Sequence, residues 1–192
     1  VWGGPTLAST IDLGNLGSSG ITVLGADAND LTGNPVAAVG DLNNDGFQDF
    51  GLGAIWADSV NNTRDRAGEA YVIFGGNALQ GTIDLATANT GVLRIFGAQA
   101  ADEAGVSVAS LGDVNGDGID DLVVGARFAD GESDQTSRAG ESYIIYGSAA
   151  LPAGLDLSSD ADVTIYGVDV DDFSGWPARG RGDVNGDGFN DI

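Results

Sequence analysis

Hydrophobic residues come in short bursts along this chain. "AYVIFGG" (70–76), "DLVVGA" (121–126), "SYIIYG" (142–147) and "VTIYG" (163–167) are runs of apolar, β-branched and aromatic residues closed by glycine or alanine. Runs of this kind, bounded by turn residues, predict β-strands. No long stretch places apolar residues at helical spacing, and Gly or Pro interrupts most candidates. The polar segments between the bursts are rich in Asp, Asn and Gly, which predicts tight turns. The expected class is all-β.

The pattern also repeats. Gly3, Gly75 and Gly147 are each 72 residues apart, and "TIDL" (10–13) falls on "TIDL" (82–85) and "GLDL" (154–157). "GDLNNDGFQD" (40–49) falls on "GDVNGDGIDD" (112–121) and, with an offset of 70, on "GDVNGDGFND" (182–191). Even a loop recurs, "ADSVNNTRDRAGEAY" (57–71) as "ADGESDQTSRAGESY" (129–143). In the second copy the strands are expected at roughly 106–111, 121–126, 141–146 and 162–166. Four short strands per repeat, joined by glycine turns without a helix, predict blades of four antiparallel strands in a β-propeller. The repeat units are approximately 1–71, 72–143 and 144–192, the last incomplete, so the chain holds a partial propeller of about two and a half to three blades. These units are too few to close a propeller ring, which typically has about four to eight blades. The chain is therefore expected to be a segment of a longer protein, with identical chains completing one another's blades as the alternative.

Three polar segments carry candidate chemistry. Each reads Asp-x-Asn-x-Asp-Gly-x-x-Asp: Asp41, Asn43, Asp45 and Asp49; Asp113, Asn115, Asp117 and Asp121; Asp183, Asn185, Asp187 and Asp191. Oxygen donors at positions 1, 3 and 5 converge if the chain curls, and glycine at position 6 permits the curl. The position-7 residues Phe47, Ile119 and Phe189 would offer a backbone carbonyl, and the final Asp closes the shell. An all-oxygen cage of this type suits Ca²⁺, one ion per loop and three in the chain. An EF-hand would need Glu at position 12 and flanking helices, but Leu52 and Val124 stand there at the start of strands. An Asx-rich turn explains one copy as well as a metal does; three in-register copies, each with its closing Asp, favour the metal. Carboxylates about 4 Å apart repel by ~4 kcal/mol per pair at an effective dielectric of 20, so a cation is the natural complement.

Charge agrees with that expectation. The formal net charge is −22, from 29 acids against 7 bases, all of them Arg, and three Ca²⁺ would bring it to −22 + 6 = −16. Nucleic acid and anionic membrane surfaces are disfavoured as partners. The absence of Cys and His removes disulfides, thiolate metal sites and Ser-His-Asp chemistry from these residues, and no acid/base constellation recurs outside the metal loops. There is no apolar run of membrane-spanning length, so no membrane insertion is expected.

The segment "IFGAQAADEAGVSVASLGDVNGDGIDDLVVGA" (95–126) resembles the FG-GAP repeat, the blade of the integrin α-chain propeller and of many bacterial surface proteins. Phe96-Gly97 and Gly125-Ala126 are the signature pairs, with Arg127 where the family often has Pro. The resemblance implies calcium loops between the first and second strands of a blade. It also implies an extracellular or cell-surface location and a structural, adhesive or filament-forming role without catalysis. An accessory propeller of a secreted hydrolase or lyase is the alternative, and an integrin-like ligand receptor a third. The long loops 57–68 and 129–140 are the candidates for a protein or glycan partner. Arg66 and Arg138 are expected to pair locally with Glu69 and Glu141. The columns Trp2, Phe74, Tyr146 and Leu24, Phe96, Tyr166 are expected in the core between blades. Arg181-Gly182-Asp183 spells an adhesive tripeptide, but Asp183 opens the third loop and is expected to point into it.

Overall fold

The alternation of apolar side chains along each burst produces sheets with two covered faces. The computed structural model describes residues 1–5, 9–77, 79–180 and 182–192. Its strands are β1 (Ile21–Leu24), β2 (Val36–Gly40), β3 (Asp49–Ala54), β4 (Glu69–Ile73), β5 (Gly81–Asp84) and β6 (Val92–Phe96). They continue as β7 (Ala104–Gly112), β8 (Asp121–Ala126), β9 (Glu141–Ile145), β10 (Gly154–Asp156) and β11 (Val163–Tyr166). The only helical elements among the described residues are three-residue 3₁₀ turns.

Two sheets follow the expected blade pattern. In the first, β2, β3, β4 and β6 lie side by side and antiparallel; in the second, β7, β8, β9 and β11 do the same. The strands anticipated near 106–111, 121–126, 141–146 and 162–166 are β7, β8, β9 and β11. The outer edge of the first sheet carries a further strand, because β10 pairs with β6 in parallel, Leu155 opposite Ile95. β5 pairs in parallel with β1 in the same manner. The second "TIDL" (82–85) and the "GLDL" segment thus leave their own sheet between its third and fourth strands and pair with a strand that precedes that sheet. Covering an edge in this way satisfies backbone groups that would otherwise recruit another chain.

The two faces of each sheet have different neighbours. Ala70, Val72, Leu93 and Ile95 on one face of the first sheet pack with Val108, Leu122, Val124, Tyr143 and Ile145 of the second, forming the largest apolar cluster. Leu52, Tyr71, Ile73 and Val92, on the opposite face, pack with Val23 and Ile83 of β1 and β5. Leu111, Val123 and Ile144 continue the stack toward Ala178. Backbone contacts join the sheets where the signature glycines stand. A Cβ on Gly53 would come within 2.2 Å of the Gly105 carbonyl oxygen, and one on Gly125 within 2.1 Å of the Gly175 carbonyl oxygen. No side chain fits at that approach, which is the physical reason for Gly in the "GAP" place.

Two expectations about aromatic columns are corrected in part. Phe74 and Tyr146 are packed against the core clusters, but Trp2, Leu24 and Tyr166 are exposed. Leu24 and Tyr166 sit on β1 and β11, 48% and 43% exposed. Residues 176–180 run beside β7 without forming a strand. The Ala178 amide there donates to Ser107 Oγ, 3.2 Å away, rather than to a ladder partner.

Candidate metal centre

Each Asp-rich loop is a connection that the strands force to reverse. The first, residues 41–48, joins β2 to β3, and the second, residues 113–120, joins β7 to β8. Gly46, Gly118 and Gly188 have φ of +90°, +89° and +96°, the left-handed region that permits the reversal.

Within the curl the side chains bond the backbone in one pattern, repeated three times. Asp41 accepts from the Asp45 and Gly46 amides at 3.0 and 2.9 Å; Asp113 accepts from Asp117 and Gly118 at 3.1 and 2.8 Å; Asp183 accepts from Asp187 and Gly188 at 3.1 and 2.9 Å. The asparagine at position 3 donates from Nδ2 to the position-5 carboxylate at 2.9–3.0 Å in all three loops. Asp45, Asp117 and Asp187 each cap the position-7 amide at 2.9 Å. Local bonds of this kind hold the chain curled with the oxygens of positions 1, 3 and 5 on the exposed side.

The ninth position lies deeper. Asp49 accepts from the Leu42 and Gly75 amides at 2.9 and 2.8 Å, and Asp121 from Val114 and Gly147 at 2.8 and 2.9 Å. These carboxylates tie their loop to the end of the strand beyond β3 or β8. Asp191 accepts from Val184 at 2.6 Å within its own loop. Burial pushes the Asp49 and Asp121 carboxyls up; the amide bonds offset part of this, and the neighbouring position-1 and position-5 acids add to it. Each oxygen that accepts one N–H keeps a second lone pair. Among the described residues no three acidic side chains are gathered closely enough to hold a metal ion. The donor types, carboxylate, carboxamide and backbone carbonyl oxygens, are those a hard cation takes.

The loops also touch one another. Asp120, which the spacing did not single out, accepts from the Asp41 amide at 2.9 Å and so links the second loop to the first. The Phe189 ring lies where a Cβ on Gly116 would meet it at 2.4 Å, linking the third loop to the second. Arg181 lies outside the described residues. Asp183 is held by the amides of Gly188, Gly186 and Asp187, which keep its carboxyl below the usual range.

On the opposite end of the sheets, ionic contacts differ from the local pairs expected. Arg66 binds Glu103, not Glu69, and lies over Trp56. Arg138 binds Asp171 at 2.6 Å, not Glu141. Arg127, the departure from the family's Pro, donates to Glu103 at 2.6 Å and stacks on Phe128 and Trp176. Docking of neighbouring sheets brings these partners closer than the residues adjacent in sequence. Loop 57–68 also supplies Arg64, which grips Asp156 on β10 through two bonds of 2.8 and 2.9 Å. Loop 129–140 lines cavities with Phe128, Asp102 and Tyr166. Among the described residues no helix is long and apolar enough to cross a membrane.

Comparison with known proteins places these features in a family context. The sequence profile of the FG-GAP repeat matches residues 104–145, which run from the start of β7 to the end of β9. Phosphatidylinositol-glycan-specific phospholipase D of Mus musculus is 35% identical over 152 residues, 79% of this chain and 17% of that protein. Integrin alpha-5 of Xenopus laevis is 30% identical over 158 residues, 79% of this chain and 13% of that protein. Integrin alpha-7 of Mus musculus is 32% identical over 155 residues, 81% of this chain and 11% of that protein. The chain thus spans less than a fifth of each of these relatives.

Proposed function

This is an FG-GAP repeat protein, integrin-α-like in its repeats, and we propose that it is a calcium-stabilised segment of an extracellular β-propeller with a structural or adhesive role. The observation that carries the proposal is the threefold recurrence of one loop geometry, in which the position-1 Asp accepts from the position-5 amide; in the first two loops the ninth-position Asp is also buried. Asp41, Asn43, Asp45, the Phe47 carbonyl and Asp49 would hold one ion. Asp113, Asn115, Asp117, the Ile119 carbonyl and Asp121 would hold a second, and Asp183, Asn185, Asp187, the Phe189 carbonyl and Asp191 a third. The ion supplies charge neutralisation and cross-links the loop to the strands on either side; no bond-making chemistry is asked of it. Blades of the same longer chain, or other copies, are the natural partners of the sheet faces at either end.

Calcium titration tests this reading. Extracellular modules bind Ca²⁺ with Kd of roughly 10⁻⁴ to 10⁻³ M. At about 1 mM free ion and a Kd of ~10⁻⁴ M, each site adds about 1.4 kcal/mol. Melting temperature is expected to rise with Ca²⁺ and fall in excess EDTA; the same melting temperature in both would defeat the proposal. Asp113→Asn combined with Asp117→Asn should remove one ion per chain by equilibrium dialysis.

A second reading has its own support. Similarity to a phospholipase D over 79% of this chain favours an accessory propeller in an enzyme whose catalytic part lies elsewhere. The full-length protein distinguishes the two by whether a catalytic domain accompanies the blades.

A further inference from the structure

The two sheets carry the same buried glutamate in the same place, and among the described residues only one of the two has a cation on it. In the first sheet Glu69 opens β4 and is fully buried. Arg94 of β6 lies opposite Tyr71. Its Nε donates to Glu69 Oε2 at 2.9 Å and its Nη2 to Oε1 at 2.8 Å. The guanidinium lies 5.6 and 5.0 Å from the ring centroids of Tyr71 and Phe96, and the Tyr71 hydroxyl donates to the same carboxylate.

The second sheet repeats the frame without the arginine. Glu141 and Tyr143 correspond to Glu69 and Tyr71, down to the hydroxyl donated to the carboxylate. Opposite Tyr143 stands Thr164, which is too short and uncharged to do what Arg94 does. Glu141 is 6% exposed. Among the described residues its Oε1 accepts no hydrogen bond and no arginine pairs with it. In the corresponding place is a cavity of about 310 Å³, lined by Glu141, Tyr143, Thr164, Tyr166, Gln99 and Asp134 among others. Burial pushes the Glu141 carboxyl up; the Tyr143 hydroxyl offsets part of this, and Asp134 and Asp130 add to it.

We propose that this cavity binds a guanidinium group supplied from outside the sheet, either the arginine side chain of a partner segment or a small guanidinium ligand. A buried carboxylate lacking a cation is destabilising, and a guanidinium relieves it through two parallel bonds. The aromatic flanks Tyr143 and Tyr166 favour a planar, stacking cation over an ammonium. A metal ion fits less well, because the Asp134 carboxylate already accepts from Gln99 Nε2 at 2.7 Å and aromatic rings form part of the lining.

The test is calorimetric titration of the protein at its full natural length, in calcium-containing buffer, with N-acetyl-arginine amide and with the amides of citrulline and lysine. Saturable binding of the arginine probe is expected, at least about tenfold tighter than either analogue. Glu141→Gln should abolish it. Thr164→Arg, which refills the cavity from within as in the first sheet, should also abolish it and raise the melting temperature. Equal affinity for arginine and citrulline, arginine binding undiminished in Thr164→Arg, or no arginine binding to the parent protein overturns the proposal. A pentapeptide carrying one central arginine separates the sources: tighter binding than the amide assigns the site to a partner segment, equal binding to a small ligand.

Discussion

Asp102 sits on the turn into β7, 7% exposed. Burial pushes its carboxyl up to about 7, with further rises from Glu141 on β9 and from Asp130 and Asp134 on the adjoining loop, partly offset by the Gln99 amide. Arg138 lines the same cavity but is engaged with Asp171. The folded value lies above the ordinary carboxylate value, so the folded protein holds this proton more tightly than the unfolded chain. The group therefore opposes folding above pH 7, and the penalty fades as pH falls from about 7 toward 4. Asp102→Asn is expected to raise the melting temperature at pH 8 by several degrees, while at pH 4.5 the difference shrinks to about a quarter of that. A shift of equal size at both values would contradict this assignment. Residues differ greatly in how visible such roles are in a sequence. The oxygen donors of the proposed calcium loops lie within nine consecutive positions, so their spacing alone singles them out. Arg64 and Asp156 are 92 positions apart, Arg66 and Glu103 are 37 apart, and Arg127 and Glu103 are 24 apart. Their pairing depends on how sheets dock, and Arg66 and Arg138 accordingly passed over the glutamates nearest in sequence.

Strands were easier to read than their neighbours. Alternating Val, Ile and Tyr identify β4, β8 and β9 from sequence alone, and both faces of each are covered. β5 and β10 are short and half exposed, and nothing in "GTID" or "GLD" says that they pair with the preceding sheet. The repeat shows that the segment matters; only the parallel register shows why. The Arg64–Asp156 pair clamps β10 onto β6. Burial alone would push the Asp156 carboxyl up, but hydrogen bonds from Arg64 and Ser158 outweigh it and leave the group below its usual range. Arg64→Met is expected to lower stability by about 1 kcal/mol at neutral pH, since the pair is bidentate but partly solvated. Hydrogen exchange should localise the loss to the amides of β10 and β6. A uniform loss of protection across both sheets would show that the pair does not act at that edge.

At the scale of the molecule, the two sheets pack face to face through the largest apolar cluster. β11 has β9 on one side and, among the described residues, no strand on the other. Produced as residues 1–192 in calcium, the chain is expected to self-associate, with a native mass by light scattering above its 19.3 kDa. A monodisperse species of 19.3 kDa would count against that. The strand that β10 adds to β6 has a consequence for synthesis. β6 ends at Phe96, and the strand that covers its edge begins at Gly154, a gap of 154 − 96 = 58 residues. At ~5–20 residues per second the ribosome needs about 3–12 s to deliver it. The first sheet therefore emerges with its hydrogen-bonding rim bare until three of the four strands of the next sheet have been made. The repeat is a relay in time as well as in space, and slowing elongation between 97 and 153 should prolong the interval in which nascent chains are captured by chaperones or by one another.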